Sequence, residues 1–284
     1  SLLSRHPTMA AEAASLSRLN DILHRLVAGD ASVHAELHSS HWRQLSVASS
    51  QISQLRQTVA DALLWALDRR DKARLIRLLL VGADHAIELV EQIKGRPGID
   101  IVITDLDADR LEQASAALGD DASQVRCVPW SELASWPAAT FDMAAAVDAL
   151  SEIAAASTGL ERLHRLLRPD APLIAGEPAP SLLWDIIRGI RGTWWARSAS
   201  SSFPVGALLT PREWVDELTT SGFAQVEGRE LLGDASIGVV IHCKAGIAGL
   251  LEGPYIGPPV FSWEGNATAN SQLLRSLMAD GGAG

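Results

Sequence analysis

Short apolar segments alternate with amphipathic segments between residues 74 and 176. Each apolar segment has the length and composition of a buried parallel strand, and these segments lie at 76–81, 99–104, 125–129, 141–147 and 171–176. The segments between them repeat their apolar residues at helical spacing, at 84–94, 107–118, 131–135 and 158–168. Because strand and helix alternate, the pattern predicts an α/β fold with a doubly wound parallel sheet.

The segments before and after this region follow other patterns. Residues 1–73 carry apolar residues at 3/4 spacing, including Leu16, Leu19, Ile22 and Leu23, and predict a helical N-terminal cap. Two strands at 224–231 and 237–244 predict an antiparallel hairpin at the end of the sheet. The predicted parts are the cap (1–73), a core (74–246) that contains a Trp- and Arg-rich insertion (178–212), and a Gly/Pro-containing tail or linker (247–284).

The turn after the first predicted strand combines one feature of a nucleotide-binding sheet with two departures from it. Gly82 ends the strand, and Asp105 follows about 20 positions later, where such sheets bind a ribose hydroxyl. A cofactor loop needs further glycines so that the backbone can approach the ligand, but Asp84 and Ala86 occupy those positions. The sequence therefore predicts the frame of a cofactor site with a degenerate contact surface.

Composition excludes several classes of function. The net charge of −10 disfavours binding to a nucleic-acid backbone. Cys127 and Cys243 lack the spacing of a disulfide framework or a zinc site, so we expect a cytoplasmic protein without a metal. No apolar run reaches the roughly 18 residues that a membrane span requires. The chain starts at Ser1 and ends at Gly284 in a Gly-rich run, so we expect a domain excised from a longer polypeptide.

The segment 166–223 carries a resemblance to a known family. The phrase Leu166-Leu167-Arg168-Pro169-Asp170, the strand that ends at Glu177, the Trp-rich insertion and the phrase Leu209-Thr210-Pro211-Arg212-Glu213-Trp214 resemble the C-methyltransferase domains of modular polyketide synthases. The resemblance covers roughly residues 1–246 and is weak over about the first 70. It implies the class I S-adenosylmethionine-dependent methyltransferase fold, a Rossmann-like doubly wound sheet with a terminal antiparallel hairpin.

The resemblance also implies a role for individual positions. Gly82, Asp84 and Asp105 fall at cofactor-binding positions, where Asp84 replaces a glycine, and no acid stands at 126–129, where the family contacts adenine. Ser151 replaces the catalytic His of the family, and the partner Glu is retained as Glu177. C-methylation of a β-ketoacyl chain needs a base that removes the acidic α-proton, and Ser151 cannot act as one without a further base.

Because glycine loop, adenine acid and base are altered together, we expect a non-catalytic pseudo-methyltransferase with a structural role and no bound cofactor. Its expected partners are neighbouring polyketide synthase domains, such as reductase and dehydratase, and the acyl carrier protein. The alternative is an active C-methyltransferase that uses S-adenosylmethionine on a carrier-bound β-ketoacyl intermediate.

Several residues keep two interpretations. Asp105 is a ribose ligand or a cap at the end of its strand, and Glu177 is a vestigial catalytic acid or an ion-pair partner. His85, at the point where such sheets bind ligands, is a new catalytic group or a surface turn residue. We expect His164 on an exposed helix surface. Other polar groups are metal ligands or exposed helix charge, namely His34, His38 and His41, and the pair Asp148 and Glu152. The Trp-rich insertion is a lid over a pocket or a docking surface.

Overall fold

A computed structural model describes residues 9–30, 32–33, 47–70, 73–119, 125–189, 194–195, 206–232 and 236–246. They belong to two compact units, which we describe separately. Unit 1 comprises Ser1–Gln54 and Pro180–Ala207, and unit 2 comprises Leu55–Ala179 and Leu208–Gly284. The boundary at 54/55 falls within a helix.

Unit 2 is built on one seven-stranded sheet in the described residues. Its strands are β1 (Ile76–Val81), β2 (Ile99–Thr104), β3 (Val125–Cys127), β4 (Met143–Val147), β5 (Pro172–Pro178), β6 (Phe223–Leu232) and β7 (Ser236–Ala245). Their order in the sheet is β3-β2-β1-β4-β5-β7-β6. Strands β1 to β5 are parallel, and the β6/β7 hairpin joins β5 through β7 in antiparallel orientation. The doubly wound sheet of the class I methyltransferase type and its terminal hairpin are therefore confirmed.

The helices follow the predicted alternation with two additions, at 150–155 and 182–188. They are α1 (Ala10–Val27), α2 (Ser50–Arg69), α3 (Ala83–Ile93), α4 (Ala108–Leu118), α5 (Leu150–Ala155), α6 (Gly159–Leu166), α7 (Leu182–Arg188) and α8 (Pro211–Thr220), with a 3-10 helix at Glu132–Ser135. Helix α5 was not predicted, because its six residues are too few to show a helical period.

In unit 2, helix α2 packs against a glycine-bearing face of the sheet. Leu55, Val59 and Leu63 of α2 are fully buried, as the apolar spacing of that segment indicates. Gly176 on β5 and Gly238 on β7 leave room for them: a Cβ at Gly238 would lie 2.8 Å from Leu55 Cδ1. The small residues of the sheet thus let the helix approach closely.

The buried face of α1, in unit 1, differs from the predicted one. Leu19 and Ile22 are buried as expected, but Leu16 and Leu23 are 37% and 47% exposed. The face includes Glu12 instead, whose Oε1 accepts a hydrogen bond of 2.6 Å from the Ser49 hydroxyl. A buried acidic side chain that finds a hydroxyl donor is stable inside a protein, so polarity alone does not exclude it from the core.

The described aromatic residues of the insertion form part of the interior of unit 1. Trp184 and Trp194 are both buried, and the guanidinium of Arg188 lies 4.3 Å and 5.9 Å from their ring centroids. The indole N–H of Trp194 donates to Asp185, and that of Trp184 donates to Gln51. These two rings therefore stabilise unit 1 through stacking on a cation and through hydrogen bonds.

Some predicted features lie outside the described residues, namely His34, His38, His41 and the tail at 247–284. Among the helices that the structure describes, none is both long enough and apolar enough to span a bilayer.

The start of α8 provides a test of the local fold. Thr210 accepts a hydrogen bond from the Glu213 amide, and the Glu213 carboxylate accepts from the Thr210 amide, so the two residues form a capping box. We expect Thr210→Ala to lower the free energy of unfolding by about 1 kcal/mol. Thr220→Ala, at the other end of the same helix, is the control and should change it little. Equal effects in urea denaturation would contradict this role for the cap.

Candidate functional site

The β1–α3 turn lies at the carboxyl edge of the parallel strands, where sheets of this kind bind ligands. Gly82 has a φ of 93°, and a Cβ at this position would lie 2.5 Å from the Cβ of Ala149, in the turn after β4. Gly82 is therefore required by the packing of two turns against each other, independently of any ligand.

The carboxylate of Asp105, directly after β2, connects this turn to the next helix. Its Oδ2 accepts a hydrogen bond of 2.7 Å from the amide of Ala83, the first residue of α3. Its Oδ1 accepts one of 2.8 Å from the Asp107 amide and lies 2.9 Å from Nη2 of Arg110. Asp105 thus caps the end of its strand and the start of α3.

Arg110 lies at the centre of a group of carboxylates. Its guanidinium forms a two-point ion pair with Glu152 in α5, in addition to the contact with Asp105. The carboxylates of Asp84 and Asp107 approach it at 3.8 Å and 3.7 Å. We call Arg110 with these four acidic residues the Arg110 cluster. It joins the carboxyl ends of β1, β2 and β4, because Asp84, Asp105 and Glu152 each follow one of these strands.

The cluster is partly removed from water. The Arg110 side chain is 14% exposed and that of Asp105 only 2%. Burial raises the pKa of Asp105, against the lowering effect of Arg110. Burial by itself lowers the pKa of the Arg110 guanidinium, but the carboxylates around it, Glu152 foremost, raise it above its ordinary value. Arg110 is therefore a permanent cation at this edge of the sheet.

Glu177, at the end of β5, caps the helix that follows β4. It is fully buried, and its Oε1 accepts hydrogen bonds of 2.8 Å and 2.7 Å from the amides of Ala149 and Leu150. Its Oε2 accepts a longer one of 3.3 Å from the amide of Ser151, which is also buried. Three backbone N–H groups at the start of α5 thus converge on one carboxylate.

The environment of Glu177 disfavours its charge in spite of these bonds. Burial, and then the nearby carboxylate of Asp148, raise the pKa of Glu177 from 4.5 to about 7. Asp148 has a φ of 52°, in the left-handed region. This left-handed backbone belongs to the turn between β4 and α5. Asp148 therefore precedes the helix and does not share a helical face with Glu152.

Two histidines differ from expectation. His85 was expected in a surface turn, but it lies in the first turn of α3 and is buried. His164 was expected on an exposed helix surface, but it is partly buried, with Nε2 at 3.2 Å from the Gly246 carbonyl and its ring against the edge of Phe223. Both positions were misjudged because a polar side chain in a short helix does not reveal what packs against it.

The other predicted positions have partners of their own. At 126–129, Arg126 forms an ion pair of 3.1 Å with Asp100. Of the carboxylate pair Asp148 and Glu152, Glu152 is paired with Arg110. No cluster of three or more possible metal ligands occurs in the described part of the chain. The predicted residues Gly82, Asp84 and Asp105 do come together in the structure, and Glu177 lies nearby on β5.

Arg110 was missed by reasoning from sequence. It stands in the first turn of α4, three residues after the N-cap Asp107, where an Arg is unremarkable. Its partner Glu152 is 42 residues away along the chain. The sequence does carry one signal for it: the predicted topology brings several acidic residues to this edge, and they need a cation to balance their charge.

With this geometry described, the structure can be compared with solved ones. It is similar to the CurJ carbon methyltransferase, with a TM-score of 0.73 and 20% identity over 87% of this chain and 70% of that chain. It is also similar to the CMeT domain of the citrinin polyketide synthase, with a TM-score of 0.68 and 20% identity over 86% of this chain and 68% of that one. The trans-methyltransferase CalH, solved with SAH, gives a TM-score of 0.66 and 16% identity over 84% and 69% of the two chains.

One curated relative supports the same resemblance. The highly reducing polyketide synthase sphB of Aspergillus fumigatus is 32% identical over 88 residues, which are 31% of this chain and 4% of that protein. The chain thus matches a small part of the length of that relative. No family model matches the chain. The predicted fold and the predicted resemblance to polyketide synthase C-methyltransferases are confirmed.

Gly82→Ala tests whether this glycine is retained for packing. We expect it to lower the free energy of unfolding by about 3 kcal/mol, from backbone strain and from the clash with Ala149. Gly95→Ala is the matched control: it also has a positive φ, of 83°, but a Cβ there meets nothing within 4 Å. We expect about 1 kcal/mol for the control.

The double variant Gly82→Ala/Ala149→Gly separates strain from clash. If the clash with the Cβ of Ala149 causes the loss of stability in Gly82→Ala, the second substitution restores part of that stability in chemical denaturation. A double variant no more stable than Gly82→Ala would contradict the packing explanation.

Glu177→Gln tests the raised pKa. Because the folded state favours protonated Glu177, wild-type stability falls as the pH rises from about 4.5, where this group ionises in the unfolded chain, to about 7, where it ionises in the folded protein. Gln does not ionise, so the variant should gain up to about 3 kcal/mol relative to wild type across this window. Urea denaturation at pH 4.5, 6 and 7.5 measures this, and two parallel stability curves would refute the assignment.

Proposed function

We propose that the chain is a C-methyltransferase-like domain of a polyketide synthase that has lost methyl transfer and serves as a structural domain. The observation that supports this most directly is that both acidic side chains retained from the family's pattern, Asp105 and Glu177, use their oxygens for hydrogen bonds within the chain. An acid engaged in this way does not offer a ligand-binding surface.

The residues at the carboxyl edge do not fit a bound S-adenosylmethionine. A carboxylate that binds a ribose diol needs free acceptor positions and free space beside its oxygens. In Asp105 two backbone amides take one position on each oxygen, and Nη2 of Arg110 lies 2.9 Å from Oδ1. The cation of Arg110 stands against the same carboxylate. Ala86 is buried and carries a Cβ where the family has a glycine, which reduces the space for a ligand further.

The catalytic pair of the family also lacks its base. Ser151 stands at the position of the catalytic His, and its amide and side chain are directed to Glu177. A neutral hydroxyl cannot remove the α-proton of a β-ketoacyl chain, so loss of the general base alone costs about 10²–10⁴-fold in rate. Glu177 contributes instead to the fold, by joining β5 to the start of α5.

A structural role fits a domain inside a long synthase. The similarity to a highly reducing polyketide synthase supports neighbouring reductase and dehydratase domains and the acyl carrier protein as partners. In this proposal the domain fixes the spacing of these neighbours, and its own sheet is stabilised without a cofactor.

Calorimetric titration with S-adenosylmethionine tests the loss of cofactor binding. We expect no measurable heat of binding for the wild-type chain, because Arg110 stands against the carboxylate of Asp105. The variant Asp84→Gly/Ala86→Gly restores both glycines and is the matched control; it should also fail to bind, since Arg110 is still present. A micromolar dissociation constant for the wild type would overturn the proposal.

An active C-methyltransferase is the second candidate, and one observation favours it. The pKa of Glu177, raised to about 7 by burial and Asp148, lies in the range of a general base at neutral pH. Mass spectrometry of a carrier-bound β-ketoacyl substrate, incubated with the chain and S-adenosylmethionine, distinguishes the two. Methylated product that disappears in Glu177→Gln would establish this candidate, and we expect no product.

A further inference from the structure

The guanidinium of Arg110 occupies a position that no other described side chain takes: it contacts acidic groups that follow three neighbouring strands of the sheet. Asp84 follows β1, Asp105 follows β2 and Glu152 follows β4. The fork of the guanidinium suits this task, because its five N–H donors point in fixed directions and reach several carboxylates at once. A single bound ligand at this edge of a parallel sheet makes the same kind of connection.

The hydrogen bonds of Asp105 show what Arg110 removes. A carboxylate has about four acceptor positions, two on each oxygen. The Ala83 amide takes one on Oδ2 and the Asp107 amide takes one on Oδ1. One position is left on each oxygen, and a vicinal diol, which donates two O–H bonds, matches that arrangement. Nη2 of Arg110 lies 2.9 Å from Oδ1 as an ion-pair partner, so it occupies the space that a diol oxygen would need there.

Electrostatics strengthen the exclusion. Arg110 is largely buried and stays protonated, and its two-point ion pair with Glu152 is of the geometry that makes Arg–carboxylate pairs strong. A ligand that displaced Arg110 would leave this buried cation without its partners, which is strongly unfavourable. The cluster therefore resists opening by a ligand.

We propose that Arg110 is a built-in substitute for a nucleoside: it holds together the carboxyl ends of β1, β2 and β4 and excludes a ribose diol from Asp105. In this proposal the β1–α3 turn, with Asp84 and Ala86 at glycine positions, reduces the affinity for a nucleoside, but Arg110 determines whether a nucleoside binds at all. This inference rests on the proposed function, since it presupposes that the wild-type chain does not bind the cofactor.

Adenosine is the probe for this proposal, because it presents the diol without the methionine portion of the cofactor. Binding is measured by saturation-transfer NMR and calorimetry on the full chain. The variants are Arg110→Met and Arg110→Gln/Glu152→Gln, of which the second also removes the carboxylate that loses its partner. Arg229→Met is the control, because Arg229 forms an ion pair of 3.2 Å with Glu227 on the same strand, β6. Far-ultraviolet circular dichroism verifies the fold of each protein.

We expect no adenosine binding by wild type and by Arg229→Met up to millimolar concentration. A folded Arg110 variant should bind adenosine at least about tenfold more tightly than wild type. It should bind 2′-deoxyadenosine more weakly than adenosine, because that ligand lacks one hydroxyl of the diol. Adenosine should also raise the melting temperature of the Arg110 variant and leave that of the wild type unchanged.

The outcomes separate this inference from the proposed function. Folded Arg110 variants that bind no adenosine, while the wild type binds no S-adenosylmethionine, overturn the inference and leave the proposed function standing. Equal binding of adenosine and 2′-deoxyadenosine also overturns it, since the diol then does not contact Asp105. Wild-type binding of S-adenosylmethionine overturns the proposed function itself. Loss of the native circular dichroism in both variants would mean that Arg110 is a structural residue only, and the exclusion role would be rejected.

Discussion

The carboxylate of Asp105 links three parts of the chain that are otherwise separate in sequence. It accepts hydrogen bonds from the amides of Ala83, at the start of α3, and Asp107, just before α4. It also forms an ion pair with Arg110, which in turn pairs with Glu152 in α5. Turns and helix N-termini meet at the carboxyl ends of parallel strands, so backbone N–H groups without a partner accumulate at this edge of the sheet. Here the chain supplies its own anions and one cation to satisfy them, and the positions of the turns depend on this network.

Glu177, near the end of β5, also uses a carboxylate to satisfy backbone N–H groups at the start of a helix. Three amides at the start of α5 point at it, and burial with a neighbouring carboxylate raises its pKa into the neutral range. Gly82, Asp105 and Glu177 are therefore each explained by the fold, through close packing, strand-end capping and helix capping. Their presence does not require a cofactor, since each has a structural task that a substitution would disturb.

The similarity to solved methyltransferases, at 16–20% identity, concerns the fold. A fold of this class accommodates many different sites, because the chemistry depends on a few side chains at the strand ends and not on the sheet itself. In this chain those side chains are engaged with one another. An edge filled by internal ion pairs retains the architecture of the fold.

Local patterns were sufficient for the strands, most helices and the terminal hairpin, because periods of 2 and 3.6 residues depend on near neighbours in the chain. They also located Gly82, Asp105 and Glu177 at one edge, since consecutive parallel strands end there. The Arg110 cluster, the burial of His85 and the exposure of Leu16 and Leu23 required the folded structure. A long side chain such as Arg110 selects its partner from whatever the topology brings within reach, and Glu152 is 42 residues away. Burial likewise depends on which element packs against a face, and neither property is recorded in the spacing of residues along one helix.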